Sequence, residues 1–503
     1  MAQKFNYPTW SAISLDRQSE TPLHSQVFEQ IRKAITLGQL AKGARLPPSR
    51  QLALELQVSR NTVVLVYEQL LAEGYATGRV GAGTYIATVL PEDRQPRREA
   101  PPSGPTGTDG DTRGVSRRAR SLMALRLPSE RTGAFDLSPT VPALDQLPFE
   151  QFAKVAGQYW RSAPAADLGY GGVLGLAELR AQIAAYLGEA HGVPCLPEQV
   201  MVVSGTTQGF MLAGQVLADA GDRVIVEDPG YLTRLAALLG GGAVLAPVAI
   251  DREGLDSSRF EGEAAQARLV VVSPTNQFPF GSTMPLERRM SLLQWAQERK
   301  AWIIEYDFNN AFHFSGRALP PLAALDRGGR VIYIGNFNRS ISPAFSMAYV
   351  VMPMDLIDAF TRANEVFGFQ ASAPTQGVVA DFMKSGQLAA HIRRMGNRYR
   401  ERAKLMVHCL NTLCGDAFEL SATGAGLHLC ALARRPMDDA AVSQALLEHG
   451  IDVPALSPYC MTERVLHGFV LGFGNTPAER IAGALRVFSD LTSQAAARSQ
   501  APT

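Results

Sequence analysis

Apolar side chains near the start of the chain recur at helical spacing. Leu23, Val27, Ile31 and Ile35 lie four residues apart, which predicts one buried helix face that ends at Gly38. Ser49 opens a second, shorter helix through Leu52 and Leu56. A tight turn at Gln57 and Val58 leads to Ser59, whose hydroxyl suits an N-cap for a third helix running from Arg60 to Leu71. The pattern then becomes Gly-rich and strand-like over Gly78 to Tyr85 (GRVGAGTY), a predicted β-wing. From 134 onward the rhythm differs. Short β-branched runs, VMVVSG (200–205), RVIVEDPGY (223–231), ARLVVVSP (267–274), AWIIEYD (301–307) and RVIYIGNF (330–337), alternate with helical stretches. Apolar runs of that length between helices predict an α/β fold with a mostly parallel sheet covered on both faces. Its ligand site is expected beyond the carboxyl ends of the strands. After about residue 385 a long charged helix leads into a smaller mixed lobe.

Composition adds boundaries to this pattern. A chain of 503 residues with 46% hydrophobic and 19% charged residues is expected to form two or three globular domains. Residues 91–133 are dense in Pro, Gly, Ser, Thr and Arg, too poor in apolar surface to fold alone, and read as a flexible linker. The expected organisation is therefore a domain over 15–90, the linker, and a large domain over 134–495. The net charge of +1 hides an asymmetry. Residues 1–90 carry 9 basic against 6 acidic groups and residues 91–133 again 9 against 6, leaving 30 against 35 in the rest. A basic front and an acidic back point to a polyanion partner for the front alone. No apolar run is long enough to span a bilayer, and the first residues lack the apolar stretch of a signal peptide, so a cytoplasmic location without membrane contact is expected. Five cysteines (Cys195, Cys409, Cys414, Cys430, Cys460) show no zinc-site spacing, so no metal is expected; they read as reduced, mostly buried side chains.

Two short helices joined by a tight turn, followed by a wing, form a helix-turn-helix whose third helix presents its first turn to the major groove of double-stranded DNA. Arg60 and Asn61 suit base edges, since Arg matches guanine and Asn matches adenine. Arg45, Ser49, Arg50 and Thr62 are placed for phosphates, with Ser59 capping the helix, and Arg79 at the wing reaches for the minor groove or the backbone. Over some 65 residues, including RLPPSRQLALELQVSRNTV and GTYIA, the stretch resembles the winged helix of the GntR family.

The remainder resembles the type I pyridoxal-phosphate aminotransferase fold, and the combination resembles the MocR/GabR regulators. The resemblance runs through LGYGGVLGLAELR (168–180), VVSGTTQGF (202–210), DRVIVEDPGY (222–231), NQFPFGSTMPLERR (276–289), AWIIEYDFNNAF (301–312) and YIGNFNRSISPAF (333–345). It implies a phosphate cradle at Gly205, Thr206 and Thr207. It also implies ring stacking by Tyr231, approach to the ring hydroxyl by Asn276, and pairing of Asp307 with the pyridine nitrogen. In the family a lysine in this last segment forms a Schiff base with the cofactor; here the position holds Arg339. A guanidinium stays protonated, with its electron pair delocalised, and cannot take that role. No lysine occurs from 301 to 383. Phe308 and Ser346 stand where the family has a tyrosine and a phosphate-binding arginine. The family's substrate-carboxylate arginine has no clear counterpart beyond Arg464.

These readings make the chain a DNA-binding transcription regulator that is not an enzyme. A homodimer places two heads on an operator, and the large domain senses a small anionic effector, pyridoxal phosphate held non-covalently included. The alternatives are a working pyridoxal-phosphate aminotransferase, a regulator that answers to covalently held pyridoxal phosphate, and a dead site in which Arg339 and Asp307 form an internal ion pair.

Overall fold

The computed structural model describes residues 10, 13–79, 83–91, 115–123, 125, 135–169, 171–308, 311–314, 318–367, 370–421 and 424–500. The chain divides into two compact units, 1–114 and 115–503.

The first unit, the head, holds α1 (Leu23–Thr36), α2 (Ser49–Glu55), α3 (Arg60–Ala72), β1 (Ala76–Arg79) and β2 (Gly83–Ile86). β1 and β2 pair antiparallel, with Ala76 opposite Ile86 and Arg79 opposite Gly83. A third edge comes from the segment before α2, where Leu46 N donates to Thr84 O at 2.9 Å and Ile86 N donates to Ala44 O at 2.8 Å. Val27, Ile31 and Ile35 are buried as their spacing predicts, against Leu52, Val63, Val66 and Leu70. Leu23 is only half-buried, because the helix begins there and its first turn has less to pack on. Phe28 and Trp10, outside the four-residue spacing, complete the core. The turn between α2 and α3 places Gln57 in the left-handed region at φ 52°, and Arg17 Nη2 donates to its carbonyl at 2.7 Å. The wing tip, 80–82, and the Arg79 side chain lie outside the described residues.

The second unit, the body, runs through α4 (Arg117–Met123), α5 (Phe149–Ser162), α6 (Ala177–Tyr186), β3 (Val200–Val203), α7 (Thr206–Leu217), β4 (Arg223–Asp228), α8 (Leu232–Leu239), β5 (Val244–Ala249), β6 (Leu269–Val272), α9 (Leu286–Arg299), β7 (Trp302–Asp307), α10 (Leu322–Leu325), β8 (Val331–Asn336), β9 (Ala348–Val351), α11 (Ile357–Phe367), α12 (Ala373–Lys384), α13 (Gln387–Cys414), β10 (Phe418–Leu420), β11 (His428–Ala433), α14 (Asp439–Glu448), β12 (Gly468–Gly472) and α15 (Ala478–Gln500). Seven strands form one sheet in the order β3-β9-β8-β7-β6-β4-β5. The pairs β5·β4, β4·β6, β6·β7 and β7·β8 are parallel, and β9 runs antiparallel to both of its neighbours. Alternate residues face opposite sides. Val226, Val271 and Ile304 pack with α7 on one face, and Ile225, Val270 and Ile303 pack with α9 on the other.

Strands β10, β11 and β12 form a smaller antiparallel sheet that packs with α13 and α15. The chain segment before α5 also joins this lobe: Asp452 N donates to Asp136 O at 2.8 Å, and Gly472 N donates to Leu137 O at 2.7 Å. Sequence spacing cannot show that contact, since its partners lie more than 300 residues apart.

Two expectations need correction. The linker assigned to 91–133 contains α4, so it is not uniformly flexible coil; its sequence RRARSLM is rich in good helix formers, and Ser116 Oγ accepts from Ala119 N at 3.1 Å as a cap. Residues 92–114, 124 and 126–134 of that stretch lie outside the described residues. Of the five free cysteines only Cys430 is buried, and the other four are half-buried at the margins of the cores. Among the described residues no cluster of side chains could hold a metal ion, and no helix is long and apolar enough to cross a membrane.

Candidate functional site

On the head, α3 begins at the cap the sequence predicts. Ser59 Oγ accepts from Thr62 N at 3.1 Å, and the two hydroxyls lie 2.8 Å apart. Thr62 is therefore partly engaged within its own helix turn. Arg60 and Asn61 are exposed on the first turn, where base edges would lie, and Arg50 is exposed at the start of α2. Arg60 Nε sits 3.5 Å from Ser49 Oγ, so the first turns of α2 and α3 are neighbours. Arg45 lies against the wing: a Cβ added to Gly83, at φ +105°, would stand 3.2 Å from its Nε. The positive φ is what favours glycine at this position. Arg45, Ser49, Arg50, Ser59, Arg60, Asn61 and Thr62 thus fall along the α2–α3 turn and the adjoining strand edge.

On the body, a pocket opens at the carboxyl ends of β4, β6 and β7. Its interior leaves about 50 Å³ accessible to the centres of water-sized molecules. Tyr231, Phe278, Tyr306, Phe308, Glu227 and Arg339 line it. The rings contact one another: Tyr231 and Phe278 at 5.3 Å between centroids, Phe278 and Phe308 at 6.2 Å, Tyr306 and Phe308 at 5.3 Å. Arg339 places its guanidinium carbon 6.0 Å from the centre of the Phe308 ring. It also lines a second cavity with Asp307, Tyr333, Tyr349 and Ser340.

Glu227 ends β4 and is 8% exposed. Ser273 N donates to its Oε2 at 3.2 Å, while Oε1 has no hydrogen-bond partner. The Gln277 amide lies close, but its hydrogens go to the carbonyls of Pro229 at 2.9 Å and Phe278 at 2.6 Å. Burial pushes the Glu227 carboxyl up to about 8, so it is mostly neutral at pH 7. His428 on β11 lies tilted against Phe278 at 5.0 Å between centroids, and burial, reinforced by the Arg339 charge, lowers its pKa to about 3. The imidazole is neutral.

The remaining predicted residues distribute differently. Asp307 does not line the aromatic pocket: strand alternation puts Tyr306 there and turns Asp307 to the opposite face, where it accepts from Tyr333 Oη at 2.5 Å. Asn276 is also outside it. Its side chain lies against Gly426 of the small lobe, where an added Cβ would stand 2.6 Å from Oδ1, and Phe278, two residues on, takes the lining position. Gly205 is the N-cap of α7, Thr206 is 2% exposed with an unpartnered Oγ1, and Thr207 is exposed. Ser346 borders this loop, its Oγ 3.5 Å from Ser204 O. A buried hydroxyl without a partner beside a helix N-terminus is compatible with an anion. Arg464 is exposed and lines neither cavity. Glu227, Phe278 and Tyr306 are the residues that the sequence reading missed. For Tyr306 the signal was present, since counting alternate positions along WIIEYD separates it from Asp307.

The profile of the class I and II aminotransferases matches residues 137–466, and that of the bacterial regulatory proteins of the gntR family matches residues 23–86. The chain is 34% identical over 464 residues to the probable rhizopine catabolism regulatory protein MocR of Rhizobium meliloti, covering 92% of each chain. It is 30% identical to the HTH-type pyridoxine biosynthesis transcriptional regulator PdxR of Corynebacterium glutamicum, covering 96% of this chain and 98% of that one. Among solved structures, an archaeal alanine:glyoxylate aminotransferase superposes with a TM-score of 0.70 at 23% identity, over 77% of this chain and all of the other.

Proposed function

The chain belongs to the class I and II aminotransferase family, joined to a GntR-type DNA-binding head in a transcription regulator, and on that premise we propose that its body senses a small molecule without covalent cofactor chemistry. Arg339 carries this reading. It lines the pocket at the strand ends, and no lysine is among the lining residues. A guanidinium supplies no neutral amine to bond an aldehyde carbon. Ser346 beside Gly205 carries no charge for a phosphate. These residues do not fit pyridoxal phosphate held as a covalent cofactor.

The effector then acts by binding one state of the regulator better than another, since only differential affinity shifts such an equilibrium. In this reading the protein is a cytoplasmic homodimer whose two heads contact two half-sites of a double-stranded operator. The working-aminotransferase alternative is tested by incubating the full chain with pyridoxal phosphate, reducing with borohydride and measuring the intact mass. An unchanged mass is expected. A pyridoxyl adduct on any side chain of the pocket overturns the reading.

A further inference from the structure

We propose that residues 457–467 form a lid over the body pocket, shut in this structure, whose tip at 459–462 swings off Asp228 while its two ends stay fixed to Asp439 on the small lobe. This rests on the reading of the body as a sensor and names the step that admits a molecule to its pocket.

Beyond one turn of 3-10 helix at Ser457–Tyr459 the segment has no regular structure until β12 begins. Two buried carboxylates hold it instead. Asp439, at the start of α14 and 2% exposed, pins both ends: it accepts from Ser457 N at 3.0 Å, from Ser457 Oγ at 2.6 Å and from Gly468 N at 3.0 Å. Asp228, the last residue of β4 and 4% exposed, pins the tip: it accepts from Met461 N at 2.7 Å, from Thr462 N at 3.2 Å and from Thr462 Oγ1 at 2.5 Å. Gly230 N adds a bond to Tyr459 O at 3.1 Å. Three of these four tip bonds converge on one carboxylate, so release at Asp228 frees most of the tip and leaves the base intact.

The tip lies on the rim of the pocket. Gly230, Tyr231 and Phe278 line that rim, and a Cβ added to Gly230 would stand 3.1 Å from Met461 Cε. The Tyr459 ring lies 5.3 Å from Phe278 and 6.4 Å from Tyr231 between centroids. With the tip down, about 50 Å³ remains accessible to the centres of water-sized molecules, room for a few waters and not for a larger guest. A sensor site so closed has to open before it binds, and the fraction of molecules that are open scales the affinity of any guest. Residues 462–465 are exposed, so the tip meets solvent on its outer side. A local opening of this kind breaks few contacts and leaves both cores of the body packed.

Cys460 sits on the tip, half-buried, with its Sγ 3.4 Å from Leu466 N, and reports opening without any effector. The full chain is labelled with N-ethylmaleimide for increasing times and read cysteine by cysteine by peptide mass spectrometry. Cys195 and Cys414, half-buried elsewhere in the body, are the internal controls. Asp228→Asn turns an amide donor toward the Thr462 amide and is expected to speed labelling of Cys460 by about tenfold or more, the loss expected for a hydrogen bond to a charged group. Labelling of Cys195 and Cys414 is expected to stay unchanged. If that variant does not fold, Thr462→Val removes one exposed hydroxyl from the same carboxylate and is expected to speed Cys460 by about threefold. Unchanged labelling of Cys460 in a folded variant overturns the proposal, and so does an equal rise at all three cysteines, which marks general loosening. The labelling needs no effector, so its failure leaves the sensor reading standing, and a pyridoxyl adduct after borohydride removes that reading alone.

Discussion

The head and the body handle polar groups in opposite ways. Among the described residues of the head no charged side chain is buried, and the buried Tyr67 hydroxyl donates to Pro47 O at 2.7 Å; Arg50, Arg60 and Asn61 face water around a three-helix core. The body buries Glu227, Glu305, Asp307, Arg289 and His428. Arg289 is fully enclosed and spends its donors on the carbonyls of Met284, Pro274 and Pro320 at 2.9, 2.7 and 2.8 Å. Glu305 accepts from Leu322 N and Ala323 N at 2.9 and 2.8 Å, capping α10. A surface reader works through exposed charges that salt screens and that neighbours hardly perturb. A buried pocket works where water is excluded, so protonation states shift and each unpaired group costs several times more. The lesson is that ionic strength is the lever on the head, and pH is the lever on the body.

That contrast can be broken at defined places. The largest effect is expected at Leu70, fully buried where α3 meets α1: Leu70→Ala should remove about 2–5 kcal/mol from the head. Calorimetry should then show an early head transition with the body transition in place; if both fall together, the two units do not fold independently. Next is Glu227→Gln. The folded carboxyl holds its proton up to about pH 8 while the unfolded one loses it near 4.5, so Glu227 costs stability progressively as pH rises between those values. The groups around it are Ser273, Gln277 and, across the pocket, Arg339. The Gln variant should gain about 2–4 kcal/mol over the parent at pH 8 and almost nothing at pH 4.5. An equal difference at both pH values, read by urea denaturation, argues against a buried neutral acid.

A smaller effect is expected at the DNA surface, where Arg60→Ala should cost about 1–3 kcal/mol of discrimination between operator and unrelated sequence at fixed salt. Unchanged preference in a filter-binding or anisotropy titration removes Arg60 from base reading. Smallest is Ser59→Ala. Loss of the cap on α3 should lower head stability by about 1 kcal/mol, leaving the body's melting temperature unmoved.

The head was largely legible before any coordinates because its signals are local. Val27, Ile31 and Ile35 announce a helix face by spacing, and Ser59 announces a helix start by chemistry three residues ahead of the amide it caps. The body's strands were legible for the same reason, but its pocket was read through individual letters. Asp307 and Asn276 have the chemistry of ring-binding residues and stand one and two positions away from Tyr306 and Phe278, which line the site. A shift of one residue along a strand reverses the face it serves, and composition gives no warning of it.

What the chain of letters settled by itself was the order of elements and the mostly parallel α/β body behind a helix-turn-helix. Those depend on periodicity within a few residues and on side-chain chemistry that no fold alters. Which side chains meet in the pocket was settled only in three dimensions. Strands β4, β6 and β7 bring Glu227, Phe278 and Tyr306 together across some 80 positions of sequence, and burial then sets whether the carboxyl among them carries a charge.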